Sequence, residues 1–286
     1  MPYSRSGSIM ARMIPCMRIS AGLTTMAADV AGSGSPVVFL HAGVADRRMW
    51  RAQITALACA APPWSALGYD RRGFGETVHA DEPYSQVGDL LCVLDAFAPG
   101  PPAILVGCSQ GGRIAIDAAL AHPARVRALV LVAPAISGAP APTSFPPGIQ
   151  AWIARIEAAE AEADIDAINR LEAQAWLDGP LASEGRVGGA VRELFLSMNG
   201  IALRSEKHGL ESGPPSAFDR LHQISAPALV VWGDRDFPHV VENCRRLTTQ
   251  LPNAQGQLLA GTAHLPNLEQ PLRFNQLLLA FLAAQS

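Results

Sequence analysis

The chain has 286 residues, 49% hydrophobic and 16% charged, which is enough apolar side chain to bury a sizeable core and excludes a globally disordered protein. A formal net charge of -3 and a pI near 6.2 exclude the basic footprint of a nucleic-acid-binding protein. The five cysteines (Cys16, Cys59, Cys92, Cys108 and Cys244) are widely spaced, with no C-x-x-C or Cys/His zinc spacing, so reduced thiols in a cytoplasm and no metal site are expected.

In chain order, Arg12, Pro15 and Arg18 interrupt any apolar stretch near the start, so the segment lacks the core of a signal peptide. It is expected to be a disordered extension over residues 1–16, with Met10 and Met13 as alternative starts. No later run reaches membrane-spanning length, and no membrane partner is expected. "PVVFLHA" (36–42) reads as a buried strand followed by a helix that Asp46 can cap. "WSALGYD" (64–70) is a second strand, leading into the glycine-punctuated turn "RRGFGET". A helix is predicted from about Tyr84 to Phe97, stopped by the prolines at 99–102. "AILVG" (103–107) and "VRALVLVAP" (126–134) are strands flanking a helical "QGGRIAIDAALAHP". "ALVVWG" (228–233) and "GQLLAG" (256–261) complete the strands, and a last helix starts at Pro271.

Strands alternating with helices predict an α/β fold with a mostly parallel sheet flanked by helices. The alternation breaks between residues 135 and 224. There "IQAWIARIEAAEAEADIDAINRLEAQAWL" (149–177) and the stretch around Val187 to Met198 are helical without intervening strands. The expected organisation is a core formed by 17–134 and 225–286, with an all-helical cap of 135–224 inserted between sheet strands.

The stretch "LVGCSQGGR" (105–113) carries the first chemical signal. A serine at so sharp a strand-to-helix junction needs a strained backbone, and its neighbours two residues away would clash if they carried Cβ atoms. Gly107 and Gly111 satisfy that requirement around Ser109. Cys108 does not, because its equivalent neighbours are Val106 and Gln110. Ser109 is therefore the candidate nucleophile, and Cys108 a small packed side chain. Gln110, next in the chain, starts a helix, so its free N–H can face negative charge developing beside Ser109.

Serine needs a base, and the base needs an orienting carboxylate. His264, in "GTAHLPNLEQP" after the last strand, lies at the sheet edge that presents Ser109. His122 closes a helix, while His79, His208, His222 and His239 fall in loop or helix-edge contexts that are more often solvated. The strand ending "VVWGDRDFP" offers two carboxylates, Asp234 and Asp236. The residue directly after Gly233 must still be turning away from the sheet, which favours the later one.

The stretches "HAGVADRRMW", "YDRRGFGET", "GCSQGG", "WGDRD" and "GTAHLPNLEQP" together resemble the α/β-hydrolase superfamily, from about Val37 to the C-terminus. The resemblance implies a Ser-His-Asp hydrolase of the lidded serine esterase or lactonase branch, with Ser109, Asp236 and His264 as the catalytic residues. It also carries the second oxyanion donor onto the backbone N–H of Gly43, although Ala42 stands where the family has a glycine. His41 reads as a loop-bracing residue, and Asp70, Arg72, Gly73 and Gly75 as a scaffold turn.

The expected reaction is cleavage of a carboxylic ester or lactone of a small, partly apolar molecule through an acyl-enzyme, with no cofactor. C–C bond hydrolysis and perhydrolysis on the same fold are alternatives, as is a low-turnover small-molecule receptor. Serine at position 109 speaks against the branches that use an aspartate nucleophile. Trp152, Trp176 and Phe195 are candidates to line a pocket beneath the cap. The expected partner is a small-molecule substrate, and the sequence leaves monomer and homodimer both open.

Overall fold

The computed structural model describes residues 14–206 and 209–285. Of the expected extension, residues 1–13 lie outside these, as does His208, and Cys16 opens the first strand. Among the described residues, one sheet holds eight strands: β1 (Cys16–Ala21), β2 (Thr24–Ala31), β3 (Pro36–Leu40), β4 (Ser65–Tyr69), β5 (Ala103–Cys108), β6 (Val126–Val132), β7 (Ala228–Gly233) and β8 (Ala254–Leu259). Their spatial order is β1-β2-β4-β3-β5-β6-β7-β8. The β1–β2 and β2–β4 pairs are antiparallel, and all later pairs are parallel.

The helices of the core are α1 (Arg51–Ala58), α2 (Gln86–Phe97) and α3 (Gln110–Ala121), and those between β6 and β7 are α4 (Pro147–Ala161), α5 (Ile165–Glu172) and α6 (Gly189–Arg204). α7 (Pro238–Gln250), α8 (Pro266–Glu269) and α9 (Pro271–Ala283) follow. The central strands read as continuous apolar runs because helices cover both faces. Val37 and Phe39 of β3 join the buried cluster formed with α1 and α9, while Val38 and Leu40 join the cluster formed with α2, α3 and α7. Burying each such side chain contributes roughly 1.5–3 kcal/mol.

Ser85 starts α2 by accepting the Gly88 N–H at 3.0 Å, so the helix begins two residues after the expected Tyr84. Asp46 also caps as expected, but the turn it caps is 3₁₀ (Arg47–Trp50) and only then continues as α1. The long helical run at 149–177 is divided. Ala163 adopts a φ of 54°, and Asp164 restarts the chain by capping α5 through the Ala167 N–H at 2.9 Å. After α5 the backbone widens into a π-type turn over Ala173–Asp178, which carries Trp176.

One topological fact places the site. The chain leaves β3 for β4 on one side and then returns to β5 on the other. A crevice forms outside the carboxyl ends of strands where such a reversal occurs, and here that is the β3/β5 boundary.

Candidate active site

The loop after β3 and the turn after β5 meet at this boundary. Ser109 has φ 52° and ψ -115°, a strained conformation for a non-glycine residue. It is fixed by main-chain bonds, its N–H donating to Val132 O at 2.9 Å and its carbonyl accepting from Ala135 N at 3.1 Å. The flanking glycines are required by contact. A Cβ on Gly107 would come within 2.3 Å of Gly111 O, and one on Gly111 within 2.2 Å of Leu40 O. Ser109 is half-buried, whereas Cys108 is completely buried, and burial raises the Cys108 thiol well above its ordinary pKa, with Asp236 adding to the effect. Cys108 is thus a neutral thiol inside the core.

The loops after β7 and β8 bring in the other two groups. His264 Nδ1 lies 2.6 Å from Asp236 Oδ2, and both residues are buried, at 3% and 6% exposure. The second Asp236 oxygen accepts the Phe237 N–H at 2.7 Å. Asp234 is exposed and accepts the Gly261 N–H at 2.7 Å, so it closes the turn and does not meet His264. Cys108 Sγ lies 3.7 Å from the His264 carbonyl, which joins the Ser109 corner to the histidine loop. Ser109 Oγ and His264 form no hydrogen bond among the described residues.

Gly43 and Gln110 face each other. A Cβ on Gly43 would touch the Gln110 side-chain amide at 3.0–3.2 Å. Neither backbone N–H donates to another group among the described residues. Behind them His41 is completely buried, and burial together with the Arg71 charge holds its imidazole well below the usual pKa. Its Nδ1 faces the Ala42 carbonyl at 2.7 Å and its Nε2 accepts the Arg71 N–H at 3.0 Å, which assigns the neutral Nδ1–H tautomer. It braces the loop.

The sequence does not single out Arg71, which lies in the turn read as scaffold through Asp70, Arg72, Gly73 and Gly75. It is 2% exposed. Its Nη1 donates to Gln110 Oε1 at 3.1 Å and its Nη2 to the carbonyls of His41 and Ala42, each at 3.3 Å. The guanidinium lies 4.5 Å from the centre of the Phe74 ring, and burial pushes its pKa down to about 10. The rest of the turn serves the scaffold: Asp70 pairs with Arg47, and Arg72 pairs with Asp89 and Glu82.

From the inserted segment, Trp176 packs against His264 and Phe237 in tilted geometry, each with 4.6 Å between ring centres. Trp152 lies one layer back, 5.8 Å from the Phe237 ring, with its Nε1 donating to Leu171 O at 2.9 Å. Phe195, expected to line a pocket, has no exposed surface. The buried face of α6 turns it into the same apolar cluster as Leu177 and Met198, so it lines no open space. His239, half-buried, packs beside Phe237 and Phe145. Beside Gly43 and Gln110 is a cavity of about 400 Å³ lined by Arg71, Phe74, Tyr84, Gln110, Ser205 and Glu211, among others.

The insertion is fastened to the histidine loop. Arg186 donates to the Gly261 carbonyl at 2.9 Å and pairs with Glu269 at 2.6 Å, and the other Glu269 oxygen accepts the Ala263 N–H at 2.6 Å. Among the described residues, no group of three or more His, Cys, Asp or Glu is arranged to hold a metal ion. No helix among them is long and apolar enough to cross a membrane.

The model of the Alpha/beta hydrolase family matches residues 37–277. The chain belongs to that family. It is an enzyme of the hydrolase kind; its curated relatives include dienoate hydrolases, and solved esterases and lactonases share its fold. A 2-hydroxy-6-oxo-6-phenylhexa-2,4-dienoate hydrolase from Burkholderia cepacia is 28% identical over 265 residues, covering 88% of this chain and 89% of its own. The solved structure of Est816, an N-acyl homoserine lactone degrading enzyme, superposes with a TM-score of 0.71 at 25% identity, covering 93% of this chain and 100% of that one. A thermophilic esterase from Thermogutta terrifontis shares the fold at TM-score 0.72 and 24% identity, over 95% and 99% of the two chains.

Proposed function

We propose that this family member hydrolyses a carboxylic ester or lactone of a small, partly apolar molecule, with Ser109, His264 and Asp236 as its catalytic residues. One observation carries the reading: a serine held at φ 52° at the β3/β5 crevice, on the same sheet edge as a buried His264–Asp236 pair. With Nδ1–H directed at Asp236, His264 Nε2 is free to take the Ser109 proton as Oγ bonds to the substrate carbonyl carbon. The oxygen of that carbonyl becomes anionic, and the N–H groups of Gly43 and Gln110 receive it. His264 then returns the proton to the leaving alkoxide as the C–O bond breaks, and water enters by the same route in reverse to release the acid. The Ser109–His264 hydrogen bond belongs to the reactive complex, since such contacts commonly tighten only when substrate is present. Trp176, half-buried and backed by the buried Phe237, offers an apolar surface beside His264 that supports a partly apolar substrate.

C–C bond hydrolysis is the second reading, favoured by the named dienoate hydrolase relative that matches over most of both chains. All five cysteines are free thiols, which supports a reducing, cytoplasmic location. The test is turnover on a panel of p-nitrophenyl esters and lactones, with Ser109→Ala as control. Many turnovers per site, lost in Ser109→Ala, are expected. A stoichiometric burst without turnover would replace the hydrolase reading with a receptor. Cleavage of vinylogous diketones without ester turnover would select the second reading.

A further inference from the structure

Three arginines cluster behind the β3 and β4 ends, and they are not alike. Arg47 is paired with Asp29 and Asp70, and Arg72 with Asp89 and Glu82. Arg71 is just as buried, yet among the described residues it pairs with no carboxylate. Its partners are neutral oxygens, and its Nε has none. Two carboxylates line the same cavity, Glu206 and Glu211; Glu211 is engaged by Arg113, Gln86 and Tyr84, each at 3.4 Å. A buried arginine without a counter-ion is unfavourable for stability, so its retention calls for another role.

The identity of the partners supplies one. His41 and Ala42 carry the loop that ends in Gly43, and Gln110 is the residue after Ser109. We propose that Arg71 is the positioning residue of the oxyanion hole, its guanidinium fork tying the Gln110 side chain to the carbonyls of His41 and Ala42 and so setting the spacing of the Gly43 and Gln110 N–H groups. The inference rests on the reading of those two N–H groups as the oxyanion donors.

The details agree with this assignment. Gln110 is an exposed residue, and a free side chain there would rotate; instead its amide is held across Gly43, against the position a Cβ would fill. Two ends of one planar group reach two loops at once, which an ammonium on a flexible stem does not do. The main chain of Arg71 is tied to the same strand end through His41 Nε2, and the Phe74 ring fixes the guanidinium plane. The missing carboxylate follows too. A carboxylate bonded directly to Arg71 would oppose the charge that must accumulate on the substrate oxygen, whereas its neutral partners leave the cation available, and Glu211 in the adjoining cavity is engaged by Arg113.

The test uses the full chain with Arg71→Lys and Arg71→Gln. Both variants are expected to lose about 10–100-fold in kcat with KM unchanged within about threefold. Affinity for an arylboronic acid, which forms a tetrahedral adduct on Ser109, should weaken by a similar factor. Unchanged kcat overturns the proposal. So does a loss confined to KM, which would make Arg71 an anion-binding subsite, or full recovery in Arg71→Lys, which would make charge alone sufficient. A fall in kcat with unchanged boronate affinity overturns it as well, because the damage then lies outside the oxyanion hole. If Arg71→Gln does not fold, Arg71→Lys carries the same test. Absence of wild-type turnover refutes the hydrolase reading and not this one, since boronate affinity across the variants is measured without turnover.

Discussion

Asp236→Asn is a near-isosteric change whose outcome follows from two hydrogen bonds. One Asp236 oxygen accepts the Phe237 N–H at 2.7 Å and the other faces His264 Nδ1 at 2.6 Å. An asparagine must keep its oxygen toward the Phe237 N–H, because turning the amide would set two donors against each other. Its NH₂ group therefore points at His264 and forces Nδ1 to accept. The imidazole proton moves to Nε2, the nitrogen that must accept from Ser109. Shape is conserved and the tautomer is wrong, so kcat should fall by about 10³–10⁴-fold, equivalent to about 4–5.5 kcal/mol of transition-state stabilisation. Initial rates on a p-nitrophenyl ester measure the loss, and thermal unfolding confirms that the variant is folded. Asp234→Asn is the matched control, because Asp234 only accepts the Gly261 N–H at the surface; it should cost less than about tenfold. A folded Asp236→Asn protein within tenfold of wild type, or the reverse ranking of the two variants, would refute the reasoning.

Ser109→Ala should abolish labelling by a fluorophosphonate probe, while Cys108→Ala should keep both the labelling and most of the activity; probe found on Cys108 would contradict the assignment. Iodoacetamide followed by mass spectrometry should modify the exposed Cys16 and Cys59 and spare the buried Cys108 and Cys244 in the native protein. Gly111→Ala places a Cβ 2.2 Å from a strand carbonyl and should lower Tm by at least about 5 °C or prevent folding, and an unchanged melting curve would show that the corner can relax. Trp176→Ala removes the ring packed against His264 and Phe237 and should raise KM for esters with apolar acyl groups by roughly 3–10-fold; equal KM values would remove Trp176 from the substrate wall.

The parts of the fold that were legible in the sequence are those whose residues satisfy one demand at a time. β7 and α9 occupy the expected positions because an apolar run covered on both faces, or a proline in the first helical turn, marks its own boundary. Ser109 was legible because its glycines answer a steric need that acts over two residues. The β1–β2 hairpin was not. β2 reads "TTMAADVA", and its alanines pack in the sheet without a strong strand preference of their own, so neighbouring β4 decides the conformation. α7 was passed over although the signal existed: Pro238 opens it, and Val240, Cys244 and Leu247 recur on one buried face. Phe195 shows the converse limit, since an aromatic residue on a helix inserted between β6 and β7 faces core or cleft according to packing that periodicity does not encode. Arg71 shows it again, because the burial of a charge depends on segments distant in the chain.

The clasp between Arg186 and Glu269 bears on how this enzyme can be re-engineered. Exchanging residues 135–224 for the equivalent segment of a relative is an obvious route to new selectivity. Such a graft would discard Arg186 and strand Glu269, a carboxylate already pushed above its ordinary pKa by burial, with the Ala263 N–H as its remaining partner. The damage would surface in the neighbouring His264 segment, and a chimaera could lose rate while its new pocket was well formed. A transplanted insert therefore has to bring its own cation to that spot, or be combined with Glu269→Gln. The seam of the graft runs through the machinery that the exchange was meant to leave alone.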